Sequence, residues 1–184
     1  MSVIGIPYDF AFGFRPGARF VPRAIRDSSI RYPISASPMW VGDINQYLYQ
    51  TGTVVDVGDV DIVQLEYEES YRRITESLKE SRTHGAIPVI LGGDHSITYP
   101  VIRGFAGIEP FHIIQFDANL DYLDAKSGTC FSNSSPFRRI RELGIIKSFT
   151  TVGLRGIRTS LAAYKDAKGN GNTLIWASQV EDQG

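Results

Sequence analysis

Two short apolar runs in this chain each end abruptly in residues that bind or move charge. Pro88-Val-Ile-Leu91 runs into Gly92, Gly93, Asp94 and His95, and Phe111-His-Ile-Ile-Gln-Phe116 runs into Asp117, Asn119, Asp121 and Asp124. Each run has strand length, and both read as buried strands with polar exits. In open parallel α/β sheets, sites are built at the carboxyl ends of adjacent strands. This pattern restricts the chain to layered α/β architectures.

The remaining segments fit that class. Val3–Ile6, Thr53–Val57, Phe149–Val152 and Thr173–Ala177 read as further strands, with Gly58–Asp61 and Gly153–Gly156 as polar exits. Helices are expected from Pro22, over Leu65–Thr83, over Pro136–Leu143 and over Thr159–Ala167, with another starting near Ser178. Tyr67, Tyr71, Ile74 and Leu78 recur at helical spacing, and Gly85 is positioned as a helix stop. Strands alternating with helices predict an α/β layered domain with a mostly parallel sheet. No repeat or linker interrupts the pattern, so residues 1–184 are expected to form a single domain.

Composition excludes several classes. A chain of 184 residues with 42% hydrophobic and 21% charged residues suits one globular domain; such a domain buries roughly 70% of its unfolded surface. A net charge of −1 offers no general attraction to nucleic acid or anionic membranes. No apolar run reaches the roughly 20 residues of a membrane span. Cys130 is the sole cysteine, which excludes an internal disulfide framework and suits a reducing compartment. The first residues lack a signal-peptide pattern, and a cytoplasmic location is expected.

The site residues carry competing readings. A lone His is usually structural, but His95 follows Gly-Gly-Asp at a strand end, which favours a metal or catalytic role. Asp117 and Asp121 could form a solvated acidic turn. Crowded carboxylates at a sheet end repel one another, however, and a cation relieves that repulsion. Convergence of His95 with Asp117 and Asp121 therefore favours a hard or borderline divalent ion. Arg15, Arg19, Arg155 and Arg158 read as loop braces rather than anion ligands. His84 and His112 have no companions and read as structural. Cys130 has no activating His near it in sequence, which argues against a nucleophile.

These motifs resemble the ureohydrolase family of arginase, agmatinase and formimidoylglutamase, with the agmatinase branch closest. The resemblance rests on Gly5-Ile-Pro-Tyr-Asp9, Arg15-Pro-Gly-Ala-Arg-Phe20, Pro22-Arg-Ala-Ile-Arg26, Gly92-Gly-Asp-His-Ser96 and Phe116-Asp-Ala-Asn-Leu-Asp121. Ser132–Arg138 and Val152–Gly156 fall where the family has corresponding loops. The resemblance implies a three-layer α/β/α fold with strand order 2-1-3-8-7-4-5-6, of which this chain supplies strands one to six. It also implies a metal-dependent amidinohydrolase that splits a guanidino compound into an amine and urea, with Mn²⁺ binuclear in the family. His95, Asp117 and Asp121 are then the expected metal ligands.

Asn119 stands at a family His position that binds the second metal, which leaves a weak amide ligand. Asn133 stands at another family His position, and an amide does not titrate near neutrality. The family's later Asp-x-Asp ligands are not in these 184 residues. One weak metal site, or none, is expected. Two functional readings stay open: an agmatinase-type hydrolase, or a catalytically inactive homologue with a scaffold or oligomerisation role. The expected partners are a small guanidino substrate and either further copies, as in family trimers and hexamers, or a complementing C-terminal fragment. With the central strands missing, a gap of roughly 14 Å would separate strands three and four unless they closed up.

Overall fold

The computed structural model describes residues 1–11, 14–32, 39–48 and 54–183. They divide into two compact units, residues 1–97 and 98–184. The first contains β1 (Ser2–Ile6), α1 (Val21–Ser29), β2 (Met39–Val41), β3 (Gln46–Leu48), β4 (Val55–Asp59), α2 (Tyr67–Thr83) and β5 (Pro88–Gly92). Its main sheet has order β4-β1-β5, with both pairings parallel. Ile4 and Ile6 of the central strand are buried.

Helix α1 begins with Pro22 in its first turn, where a missing N–H is tolerated. Arg26 in this helix holds β4. Its guanidinium donates to Asp56 at 2.7 and 2.8 Å and also bonds Asp59. The Arg26 hydrogen bonds, outweighing burial, hold the Asp56 carboxyl below its ordinary range. Gly58 and Asp59, expected in the polar exit, lie inside the strand, while Thr53 falls outside the described residues.

Helix α2 buries Tyr71, Ile74 and Leu78, as its spacing predicts, but Tyr67 is exposed. The helix starts two residues later than expected because Leu65 has φ +67°, which a helix cannot accommodate. Ser70 ties the helix to the preceding loop by bonding both the N–H and the carbonyl of Val63. Gly85, at φ +68°, follows the helix end. The antiparallel β2–β3 hairpin was not anticipated from sequence. Its strands are three residues each, too short to register as periodic, and Trp40 packs edge-on to Tyr47 across them at 5.0 Å.

The second unit contains α3 (Thr98–Arg103), β6 (Phe111–Phe116), α4 (Pro136–Glu142), β7 (Ile146–Leu154), α5 (Leu161–Gly169), β8 (Thr173–Trp176) and α6 (Ala177–Gln183). Its parallel sheet has order β6-β7-β8. The two sheets reproduce the flanks 2-1-3 and 4-5-6 of the expected eight-strand order. Strand β7 is longer than the expected Phe149–Val152 and takes in Gly153 and Leu154, which were expected in its exit. The core gathers Leu120, Tyr122, Phe137, Ile140, Phe149, Leu154, Ala163, Ala167 and Leu174. The rings of Phe137 and Phe149 lie 4.5 Å apart at its centre. Ser160 caps α5 by accepting the Ala163 N–H at 3.0 Å.

The expectation that β5 and β6 are buried needs correction. Residues of β5 are half-buried, apart from exposed Val89. In β6, Ile113 and Gln115 face the core side, whereas Ile114 and Phe116 are 63% and 81% exposed. A strand sends alternate side chains to opposite faces, and this core covers one of them. Among the described residues, no helix is long and apolar enough to cross a membrane.

Candidate metal centre

In the first unit, the exit of β5 passes directly against the loop that follows β1. The Gly93 N–H donates to Ile6 and the Asp94 N–H to Tyr8, at 2.9 and 2.7 Å. A Cβ on residue 93 would sit 1.8 Å from the Tyr8 carbonyl oxygen, so only glycine permits this approach. His95 opens a 3₁₀ turn, His95–Ile97, and is half-buried. The turn is closed by Asp94, whose Oδ1 accepts the Ser96 N–H at 2.8 Å and the Ser96 hydroxyl at 2.5 Å. The other carboxylate oxygen accepts the Ala11 N–H at 3.0 Å. Burial pushes the Asp94 carboxyl above its usual range, against the pull of these bonds.

The same loop is fastened a second time by Asp9. Its carboxylate accepts the N–H groups of Gly17 and Arg19 at 2.7 and 3.2 Å and pairs with the Arg19 guanidinium at 2.5 Å. Burial opposes ionisation of Asp9, but these bonds outweigh it and hold the carboxyl below its ordinary value. Arg19 also lies over the Phe10 ring at 4.7 Å, and Arg15 over the Phe14 ring at 5.2 Å. Arg19 thus braces the loop, as expected.

In the second unit, Asp117 extends the β6–β7 ladder by one rung, its N–H donating to Val152 at 3.0 Å. Its carboxylate then accepts the Asn119 N–H at 2.8 Å and turns the chain. The Ala118 carbonyl accepts the N–H groups of Arg155 and Gly156 at 3.0 and 2.7 Å, joining this turn to the exit of β7. Asn119 is exposed, and a Cβ on Gly156 would meet its amide oxygen at 2.5 Å. The amide therefore rests against Gly156. Leu120 and Tyr122 are buried in the core and fix half-buried Asp121 between them, at φ +44°. Asp124, placed in the carboxylate cluster by sequence, is instead exposed and pairs with Arg139 at 2.6 Å.

The Ser132–Ser135 loop is hydrogen-bonded to the same segment. The Leu123 N–H donates to Ser134 at 2.9 Å, and the Phe137 N–H to Asp121 at 3.3 Å. Asn133 lies in this loop, and its Oδ1 is buried without a hydrogen-bond partner. The second unit thus brings Asp117, Asn119 and Asp121 together on one loop and joins the Asn133 loop to it. His95 belongs to the first unit.

The other candidates have local roles. His84 bonds the Glu80 carbonyl at the end of α2, and His112 pairs with the Ser148 hydroxyl on β7. Arg155 donates to the Gly153 carbonyl at 2.9 Å. Half-buried Cys130 lies in hydrogen-bonding reach of Arg139. Sequence reasoning assigned no role to Asp9 or Asp94. The available signal was Asp94 two residues before Ser96, a spacing at which an Asp side chain captures a backbone N–H.

A profile of the Arginase family matches residues 1–184. The chain belongs to the arginase family. It is 34% identical over 183 residues to human mitochondrial guanidino acid hydrolase, covering 96% of this chain and 49% of that protein. It is 33% identical over 186 residues to the mitochondrial agmatinase of Gallus gallus, covering 97% of this chain and 52% of that one. The formimidoylglutamase of Bacillus subtilis superposes with a TM-score of 0.85 at 26% identity, covering 100% of this chain and 56% of that chain. This arginase-family chain spans about half the length of the curated relatives it matches.

Proposed function

We propose that this chain carries the metal-binding scaffold of an agmatinase-type amidinohydrolase, whose substrate is a guanidino compound split to urea and an amine. We propose further that His95, Asp117 and Asp121 hold one Mn²⁺ ion, and that residues 1–184 are parts of a single arginase-like domain. The observation that carries this reading is the Asp117–Asp121 loop. It is anchored at one end in the sheet ladder and pinned between buried Leu120 and Tyr122, so two half-buried carboxylates sit at a strand's carboxyl end.

Two carboxylates and an imidazole form a donor set suited to Mn²⁺. A bound divalent ion would supply Lewis acidity that makes water a stronger nucleophile toward the guanidinium carbon. Asn119 adds little, because its amide oxygen is neutral and rests against Gly156. Asn133 neither takes up nor releases a proton near neutrality. These two asparagines favour ligand binding with little turnover.

The test is a Mn²⁺ titration by calorimetry of the wild type, Asp117→Asn and His95→Ala, alongside urea release from agmatine and 3-guanidinopropionate. One weak site, lost in both variants, with little urea release, is the expected result. Two tight sites, or turnover at ordinary enzymatic rates, would overturn the reading.

A further inference from the structure

We infer that Asp94 is a positioning residue that sets the direction of His95 and locks the loop after β1 to it. The inference rests on the proposed role of His95 as a metal ligand. Its physical basis is the division of labour between the two carboxylate oxygens. Oδ1 takes both donors of Ser96, so the chain closes a tight ring around His95. Oδ2 takes the Ala11 N–H from a segment 83 residues away in sequence. Neither segment can shift without breaking a bond to the same side chain.

The surroundings of Asp94 hold its side chain by hydrogen bonds to both oxygens. Asp94 is 5% exposed, and burying a carboxylate is costly unless donors surround it. Three donors do so: Ser96 twice and Ala11 once. The network continues into the helical layer. Tyr71 of α2, itself buried, hydrogen-bonds both Ser96 and Tyr8. Tyr8 packs on Tyr71 with ring centroids 5.6 Å apart. The backbone adds the Asp94 N–H bond to Tyr8, and the missing Cβ at Gly93 allows the close approach. The turn bearing His95 is thus tied to the loop after β1 and to α2 through one carboxylate–hydroxyl chain. Partners that orient a metal-binding His typically change metal affinity about 10- to 100-fold when removed.

The experiment uses the full chain with Asp94→Asn, Ser96→Ala and Ser96→Thr. Three quantities are read: Mn²⁺ affinity by calorimetry, amide exchange at Ala11 and Ser96, and the imidazole signals of the three histidines by NMR. Asp94→Asn should weaken Mn²⁺ binding about tenfold or more. It should also speed exchange at both amides and shift the His95 imidazole, with His84 and His112 unmoved. Ser96→Ala, the milder change, should weaken binding in the same direction, whereas Ser96→Thr keeps the hydroxyl and should retain wild-type affinity.

A lowered melting temperature with unchanged Mn²⁺ affinity and an unmoved His95 signal would mean a merely structural role and overturn the inference. Unchanged exchange at Ala11 would overturn the loop lock. If the wild type binds no Mn²⁺, the proposed metal reading fails instead. The His95 signal and the two amides then still decide whether Asp94 positions the turn.

Discussion

At the scale of single residues, an asparagine in place of an imidazole removes a basic nitrogen and shortens the reach of the side chain. Asn119→His should therefore strengthen Mn²⁺ binding about tenfold or more, with calorimetry as the check. Neither that change nor Asn133→His alone should restore urea release, because catalytic groups that act as a unit are strongly non-additive. A single variant with ordinary turnover would refute the assignment. Asp9 supplies a separate, acid-sensitive prediction. Its carboxyl is held below the ordinary value of 3.8. A depressed carboxyl stabilises the fold above its unfolded value, and that contribution disappears as pH falls through the folded value. Arg19→Ala leaves a buried carboxylate without its cation and should cost about 3 kcal/mol at pH 7. The gap between wild type and variant should shrink below about pH 4, as followed by denaturant unfolding. An unchanging gap would show that Asp9 is not the partner that matters.

At the scale of elements, side-chain pattern decided what could be read in advance. Helix α2 was legible because Tyr71, Ile74 and Leu78 fall on one face, and all three are buried. Strands β5 and β6 were legible from their apolar runs, and so were the polar turns that follow them. Which face of β6 is covered was not legible, because Ile113 and Ile114 are both apolar and alternation is invisible in such a run. The β2–β3 hairpin was missed because three-residue strands carry no period. The pairing of Asp124 was missed because its partner, Arg139, lies fifteen residues downstream on a separate helix. Two substitutions measure how firmly the elements are set. Leu78→Ala, at a position with no exposure, should cost about 3 kcal/mol in denaturant unfolding. Ser160→Ala removes the cap of α5 and should cost about 1 kcal/mol. A loss below about 1 kcal/mol for Leu78→Ala would mean that the α2 face is not part of the first unit's core.

At the scale of the whole molecule, the exposed face of β6 bears on assembly. Parallel sheets are normally covered on both faces, and uncovered strand edges invite pairing with another chain. Ile114 and Phe116 are open in this chain. Light scattering should therefore show association that grows with concentration, and Ile114→Lys with Phe116→Lys should reduce it. A monodisperse monomer at all concentrations would count against this expectation. The order of strands in the two sheets also affects how each can be made. In the second unit, β6, β7 and β8 are neighbours in the order in which a ribosome delivers them, so each new strand meets a finished edge. In the first unit, the earliest strand is the central one, and its outer partner β5 ends at Gly92. At elongation rates of 5–20 residues per second, β1 waits roughly 4–17 s for that partner. During this interval the edge of β1 that pairs with β5 has no partner strand. In the first unit, therefore, β1 holds one edge open until β5 is made, whereas β7 and β8 find their partners in the order in which they emerge.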